Sequence, residues 1–385
     1  DVCSSDLAMQ RKGRVGRNTP GEWHPLYTKE VFDALTEDTT PDIVRQPSDE
    51  IVLSVLIEHA LPDWDRSVLI ESSEMKSLDV SKMDLMDPIP WDSISYTLQK
   101  FYALGFIDYC YKPTVKALCA VKFSHIDIEA VAMILAGYSH GANILALATI
   151  AAFISVGSDK LFGRKYKRQQ IFQDAGESDE VRSMFKTRIF IGCDFIDCVF
   201  VLDKVKVITK AAIKNGEEPY TAISDWCHQN KIDYAALRSV LSARDGIIGS
   251  LINIGLNPYR NVPAEVGHEM EYSLSHQVVY DFDNGMEEIK KIKRSIHDGY
   301  IMNIATYNPI VKKYINLRNG SYLDITSDLL APIGYDPQIK QSKPIKLVYH
   351  GQVLRRSPDA PYKFDVAAIS VLDGFIDIDA DLQFS

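Results

Sequence analysis

The chain has 385 residues, of which 46% are hydrophobic and 24% charged, with a formal net charge of -10. This length and apolar content place it among soluble globular proteins with two or three domains and substantial cores. The acidic balance argues against a free-standing nucleic-acid binder, which is usually basic, although a channel can concentrate basic groups on one surface. No apolar run reaches the length of a membrane span, and no secretory signal is present.

The six cysteines predict neither a metal site nor a disulfide framework. They form no C-x-x-C pair, and no histidines accompany them at zinc spacing. We interpret Cys193 and Cys198, the closest pair, as core residues of a protein in a reducing compartment, either the cytoplasm or the nucleus.

The first seven residues, Asp-Val-Cys-Ser-Ser-Asp-Leu, are the translation of a common sequencing-adapter oligonucleotide, GACGTGTGCTCTTCCGATCT. We interpret residues 1–7 as a read artefact and set them apart from the fold. Removing the two carboxylates of Asp1 and Asp6 moves the formal charge from -10 to -8. On this interpretation the natural part of the sequence begins in the middle of a domain, and the protein is a fragment.

The run Gln-Arg-Lys-Gly-Arg-Val-Gly-Arg, residues 10–17, concentrates three arginines and a lysine in eight positions. Gly13 and Gly16 keep the backbone unobstructed, and guanidinium groups offer rigid, planar donors that suit a phosphate during transfer. A basic loop of an unrelated protein is the alternative interpretation.

This run has the form Q-R-x-G-R-x-G-R of motif VI in superfamily 2 helicases, and it resembles most the DEAH branch of RNA helicases. The resemblance implies that Gln10 helps to place the attacking water and that Arg14 and Arg17 act as arginine fingers. The lysine of the run is similar to versions in large DNA viruses such as poxviruses, which would place the protein in a virion or virus factory.

Residues 8–38 resemble the end of the second RecA-like domain of DEAH proteins. Pro20 and Gly21 form a turn signal, and the aromatic stretch 23–27 predicts a short strand. The phosphate-binding loop and the DEAH box of that family do not occur in this sequence.

Residues 39–112 are predicted to form a winged helix. Apolar residues at 51–57 indicate a buried helix, a proline-rich extended link follows at 84–90, and residues 94–101 have helical periodicity. Residues 104–108 would end that helix and begin the first wing strand. The order resembles the winged helix of DEAH proteins, which packs the other domains.

Residues 113–258 resemble the helical ratchet domain of the same family. Two apolar helices are predicted within 113–156, a further helix at 194–212, and a long helix at 237–256. The basic stretch 158–188 is either a solvated loop or an RNA contact. The polar residues of the long helix recur along one face that touches the RNA backbone in the family, and the candidates are Arg238, Ser242 and Arg244.

A competing motif lies within this region. Residues 137–141, Gly-Tyr-Ser-His-Gly, match the G-x-S-x-G nucleophile elbow of α/β-hydrolases, with 131–135 as the strand before Ser139. His297 or His350 could act as the base. No glycine-rich oxyanion loop precedes the motif, and a motif with three fixed positions often arises by chance.

Residues 259–288 are interpreted as a linker, and residues 289–385 as an OB-fold domain. A short basic helix is predicted at 289–298, and alternating segments at 314–317, 322–325, 345–349 and 367–371 indicate a small β-barrel. OB barrels bind single strands through basic and aromatic side chains. The candidates here are Thr326, Ser327, Arg355, Arg356 and Lys363.

Together the sequence predicts a multidomain α+β protein with a RecA-like remnant, a winged helix, a helical ratchet bundle and an OB-fold barrel. The resemblance implies the C-terminal part of an ATP-dependent RNA helicase, which uses ATP and Mg²⁺ in the full-length protein and contacts single-stranded RNA. We expect this fragment alone to be inactive. The alternatives are a non-catalytic RNA-binding module and a serine hydrolase using Ser139.

Overall fold

A computed structural model describes residues 4–36, 41–45, 47–60, 85–123, 126–157, 161, 193–230, 232–260, 282–325, 346–357 and 360–371. They form helices and one small sheet, which confirms the α+β class. No described helix is both long enough and apolar enough to cross a membrane.

The N-terminal segment holds two short helices, α1 (Ser5–Lys12) and α2 (Lys29–Asp33). The Ser4 hydroxyl caps α1 by accepting from the Leu7 N–H at 3.3 Å. The strand predicted at 23–27 is wrong, since these residues have no regular structure. An isolated strand is not stable without partners, and no described strand lies beside this stretch.

Four helices follow: α3 (Asp42–Arg45), α4 (Asp49–Ala60), α5 (Trp91–Ala103) and α6 (Val115–Ala120). The helices predicted at 51–57 and 94–101 are thereby confirmed. After α5 the chain turns at Gly105, which adopts a φ of 73° that favours glycine. The predicted first wing strand is reduced to a single antiparallel bridge between Ile107 and Pro113.

The centre of the molecule is the pair α7 (Ile128–His140) and α8 (Ile144–Val156). Gly141 ends α7 in a left-handed conformation, with a φ of 69°. The Asn143 side chain then caps α8 by accepting from the Ala146 N–H at 3.0 Å. Nearly every residue of α8 is buried, as its uniformly apolar sequence requires.

The remaining helices surround this pair. A 3₁₀ turn, Asp194–Ile196, leads into α9 (Asp197–Asn215), which is followed by α10 (Pro219–Gln229), α11 (Tyr234–Asn253) and α12 (Phe282–Gly299). Helices α9 and α11 pack on α8, and α12 packs on α7. Helix α12 begins inside the predicted linker and is longer than the predicted helix at 289–298.

The chain then forms β1 (Ile304–Asn308), β2 (Lys313–Asn316), β3 (Tyr322–Ile325), β4 (Lys346–Ser357) and β5 (Ala360–Val371). The strands pair in the order β1-β2-β3-β5-β4, and β4 also pairs with β1. All pairs are antiparallel except β3 with β5. Four of the strands fall where the alternating segments predict them, whereas β1 was not predicted.

Glycine permits the close contact between α7 and α12. A Cβ on Gly299 would lie 2.6 Å from the Met133 nitrogen and 2.7 Å from the Glu129 carbonyl oxygen. A Cβ on Gly137 would lie 3.1 Å from the Ser295 hydroxyl and 2.0 Å from a methyl carbon of Leu147. Side chains at 137 and 299 would therefore push α7 away from both of its neighbours.

A buried ion pair network joins α4, α5 and α7. The Lys100 ammonium lies 2.6 Å from an Asp49 oxygen and 2.8 Å from a Glu129 oxygen. The Thr97 hydroxyl donates to Asp49 at 3.0 Å. Burial alone would lower the pKa of Lys100, but the carboxylates of Glu129 and Asp49 outweigh it and raise that pKa above its ordinary value.

We expect Gly299→Ala to lower the free energy of unfolding by about 1–3 kcal/mol, because the added methyl group meets the α7 backbone. Gly249→Ala in α11 is the matched control, since nothing lies within 4 Å of its added Cβ. That control should instead gain up to about 1 kcal/mol from helix propensity. Urea unfolding of both variants checks this, and equal effects would contradict the close contact.

We expect Lys100→Met to lower the free energy of unfolding by about 3–5 kcal/mol, because it leaves two carboxylates without their buried cation. Adding Asp49→Asn and Glu129→Gln to this variant should restore most of the loss. Lys210→Met, at an exposed position of α9, should change the stability by less than about 0.5 kcal/mol. A Lys100→Met variant as stable as this control would show that the network contributes nothing.

Candidate nucleic-acid interface

The arginine-rich run lies at the end of α1 and in the turn that follows. Gln10 is in the helix, whereas Arg14 and Arg17 come after it, and all three side chains are exposed. Gly16 has a φ of 79°, which turns the chain between the two arginines. The guanidinium groups thus lie on the surface, where they can reach a phosphate held by another domain or molecule.

Two side-chain hydrogen bonds and a contact of Lys12 with the Trp23 ring, 5.9 Å from the ammonium to the ring centroid, occupy this run. The Gln10 amide donates to the Asp6 carboxylate at 2.8 Å, and Arg17 Nε donates to the Gly13 carbonyl at 3.3 Å. Asp6 belongs to the seven residues that the sequence analysis sets apart. A chain that lacks this segment would therefore leave the Gln10 amide without this acceptor.

The long helix α11 presents only part of its predicted polar face. Arg238 and Ser242 are exposed, one helical turn apart. Arg244 points inward with an exposed fraction of 6%, and its Nε donates to the Thr149 hydroxyl of α8 at 3.0 Å. Arg244 therefore links two helices of the bundle, and the exposed face comprises Arg238 and Ser242.

The basic candidates of the last strands lie on one hairpin. Arg355 on β4 stands opposite Lys363 on β5 in the strand register, and Arg356 is the next residue of β4. Thr326 and Ser327 lie outside the described residues, as does most of the basic stretch 158–188. The hairpin and the α11 face thus supply separate groups of candidates.

The structure does not favour the alternative of a nucleophile elbow. Residues 131–135 belong to helix α7, whereas an elbow requires a strand before the serine. The Ser139 hydroxyl donates to the Leu135 carbonyl of the same helix at 3.3 Å. His297 contacts Asp298, and neither forms a hydrogen bond with Ser139. The motif arises where a helix ends at a left-handed glycine.

A histidine–carboxylate cluster connects the ends of α7 and α12 and was not predicted. His140 Nε2 lies 2.6 Å from one Asp298 oxygen, and His297 Nδ1 lies 2.9 Å from the other. Burial would raise the pKa of Asp298, but its hydrogen bonds with His297 and His140 outweigh it and lower that pKa. Because 158 positions separate His140 from Asp298, no local sequence signal indicates the contact.

We expect a fluorophosphonate probe to leave the chain unlabelled, because Ser139 lies in a helix and its hydroxyl donates a hydrogen bond to the Leu135 carbonyl. Ser139→Ala should behave identically in this assay, with a known serine hydrolase labelled in parallel. If the probe labels the native chain and does not label Ser139→Ala, this result would contradict the structure.

Comparison with curated proteins finds similarity along nearly the whole chain. A protein of African swine fever virus (isolate Tick/South Africa/Pretoriuskop Pr4/1996) named "Putative RNA Helicase B962L" is 24% identical over 387 residues. The same-named protein of the Pig/Kenya/KEN-50/1950 isolate is 25% identical. Each match covers 96% of this chain and 37% of the viral protein.

A shorter match involves a second virus. "Putative ATP-dependent RNA helicase L540" of Acanthamoeba polyphaga mimivirus is 29% identical over 127 residues, which cover 33% of this chain and 16% of that protein. No protein-family model matches the chain. The chain is thus similar over 96% of its residues to viral proteins named as RNA helicases, and it spans 37% of the length of those from African swine fever virus.

Proposed function

We propose that this chain is the C-terminal part of a DEAH-type, ATP-dependent RNA helicase of a large DNA virus. Two observations together carry the proposal. The run of residues 10–17 has the form of helicase motif VI, and similarity to viral proteins named as RNA helicases extends over 96% of the chain. In such a protein, ATP hydrolysis drives movement along single-stranded RNA and separation of duplexes.

The exposed arginines support the catalytic part of this proposal. Arg14 and Arg17 can donate to the oxygens of a transferring phosphoryl group, and Gln10 can orient the attacking water. Arginine fingers contribute a factor of about 10³ to 10⁵ in rate. ATP would supply the phosphoryl group when bound by other parts of the helicase.

The guanidinium groups of Arg14 and Arg17 suit the phosphate of ATP. Within the ranges that the structure describes, no three or more acidic, histidine or cysteine side chains cluster as metal ligands do. In the full-length helicase, Mg²⁺ would be bound together with ATP.

The arrangement of elements supports the proposed domains. We assign the small helical unit with α4, α5 and α6 to the proposed winged helix, and α7 to α11 to the proposed ratchet bundle. Five strands paired in the order β1-β2-β3-β5-β4 are consistent with an OB-fold. Single-stranded RNA would then contact Arg238 and Ser242 of α11 and the Arg355–Lys363 pair of the β4–β5 hairpin.

We expect the purified chain to bind a labelled 20-nucleotide single-stranded RNA but not to hydrolyse ATP. Arg238→Ala should weaken binding and reduce the slope of log affinity against log salt by about 0.7, because one phosphate contact is lost. Arg14→Ala is the control, since its proposed partner is a nucleotide phosphate. Fluorescence anisotropy at several salt concentrations and a phosphate-release assay make these measurements.

Two outcomes would contradict the proposal. If the native chain does not bind RNA, the RNA-binding part of the proposal is wrong. ATP turnover that disappears in Arg17→Ala would show that the chain is catalytically complete by itself, against the expected inactivity. If the full-length protein lacks the other helicase motifs, RNA binding without ATP turnover would favour a non-catalytic RNA-binding module.

A further inference from the structure

A cleft of about 590 Å³ lies beside α5. Its walls come from α5, from the turn at residues 108–111 and from the β2–β3 connection. We call it the aromatic cleft, and the side chains that define it are Trp91, Gln99, Tyr102, Tyr109, Tyr111 and Arg318.

Four aromatic rings of this cleft are unusually open to solvent. The exposed fractions are 65% for Trp91, 55% for Tyr102, 83% for Tyr109 and 53% for Tyr111. Grouped exposure of large apolar side chains on a globular protein marks an interaction site, whereas scattered single residues do not.

The turn that carries two of these rings is held in a defined conformation. The Asp108 carboxylate accepts from the N–H groups of Cys110 at 2.8 Å and Lys112 at 2.9 Å. Tyr111 has a φ of 59°, a left-handed conformation that is uncommon for an aromatic residue. Because the turn is fixed before any ligand binds, presenting Tyr109 and Tyr111 costs less conformational entropy on binding.

Basic side chains line both the aromatic cleft and an adjoining cavity. Arg318 contributes to one wall of the aromatic cleft. Tyr102 also lines an adjoining cavity of about 350 Å³, to which Lys116 and Arg294 contribute. The carboxylate in that cavity, Asp298, is engaged by two histidines. The carboxylate that lines the aromatic cleft, Asp108, accepts from two backbone N–H groups of its own turn. A ligand lying across the rings would therefore meet Arg318 in the cleft and Lys116 and Arg294 in the adjoining cavity.

This combination favours a nucleic acid strand over a protein segment. Aromatic faces flanked by basic side chains are the means by which proteins bind single strands, with bases stacking on the rings and phosphates meeting the cations. A groove for an amphipathic helix would present a row of aliphatic pockets. Here Leu98 is the aliphatic side chain of the described lining, and it is only partly exposed.

We propose that the aromatic cleft is a binding site for single-stranded RNA, separate from the α11 face and the β4–β5 hairpin. Bases stack on Trp91 and Tyr109, and Gln99 offers its amide to a base edge. Arg318 of the cleft and Lys116 of the adjoining cavity contact phosphates. The identity of the ligand as RNA rests on the proposed function, whereas the stacking site rests on the geometry of the cleft.

The test measures binding of a labelled 12-nucleotide oligouridine to the native chain and its variants. Tyr109→Ala and Trp91→Ala should each weaken binding about fivefold to a hundredfold, because one stacked base is lost. Tyr109→Phe should retain the affinity, since stacking requires the ring and not the hydroxyl. Tyr220→Ala is the matched control, because this tyrosine of α10 has an exposed fraction of 68% and does not line the cleft.

Salt dependence separates the roles of the side chains. Arg318→Gln should reduce the slope of log affinity against log salt by about 0.7, whereas Tyr109→Ala should leave that slope unchanged. Photo-crosslinking with 5-bromouridine should attach the RNA to the peptides that contain Trp91 or Tyr109. Thermal unfolding of every variant checks that these surface changes leave the fold intact.

The outcomes distinguish this proposal from the function on which it rests. If Arg238→Ala weakens RNA binding while Trp91→Ala and Tyr109→Ala leave it unchanged, the proposal of an RNA site in the aromatic cleft is wrong and the proposed function stands. A native chain that binds no RNA would overturn both. If the cleft variants still bind RNA but no longer bind a protein ligand of the native chain, the cleft is a peptide-docking surface. That result would reject the proposal.

Discussion

The close approach of α7 and α12 is the constraint on which the rest of the structure depends. Because Gly299 has no side chain, the end of α12 lies directly against the α7 backbone near Met133. The chain leaves α12 at this point and enters β1 within five residues, so the contact determines where the sheet begins. The side chain of Glu129, in the same α7 turn, pairs with Lys100 of α5. One helical turn thus positions both the sheet and the N-terminal helical unit.

The interior of the bundle also decides which basic groups are available for a ligand. Helix α11 packs on α8, and this orientation turns Arg244 toward Thr149 while Arg238 and Ser242 remain outside. An arginine bonded to a buried hydroxyl stabilises the packing of two helices, and moving it to the surface would leave that hydroxyl without its donor. The candidate RNA contacts are therefore side chains that the packing of α11 leaves exposed on a rigid scaffold.

Sequence patterns predicted most of the local structure because helices and strands reflect the spacing of neighbouring apolar residues. The helices at 51–57 and 194–212 and the strands at 314–317 and 322–325 follow this rule. The failures depend on partners that are distant in the chain. The stretch 23–27 has strand-like residues but no neighbouring strand among the described residues. The direction of Arg244 depends on α8, 95 positions away. The aromatic cleft likewise joins α5 to Arg318 of the sheet, which no local pattern indicates.

The acidic net charge of -10 does not exclude RNA, because charges act locally in salt solution. Ions screen exposed charges beyond about 8 Å at physiological ionic strength. Several carboxylates are moreover engaged by groups of the protein itself, since Asp49 and Glu129 share Lys100 and Asp298 forms hydrogen bonds with His140 and His297. A phosphate near Arg318 or Arg238 therefore responds mainly to that arginine. The distant acidic groups reduce the long-range attraction that speeds association, so affinity for a strand must come from slow dissociation. Stacking on fixed aromatic rings supplies such an interaction, because it persists after the phosphate contacts are screened.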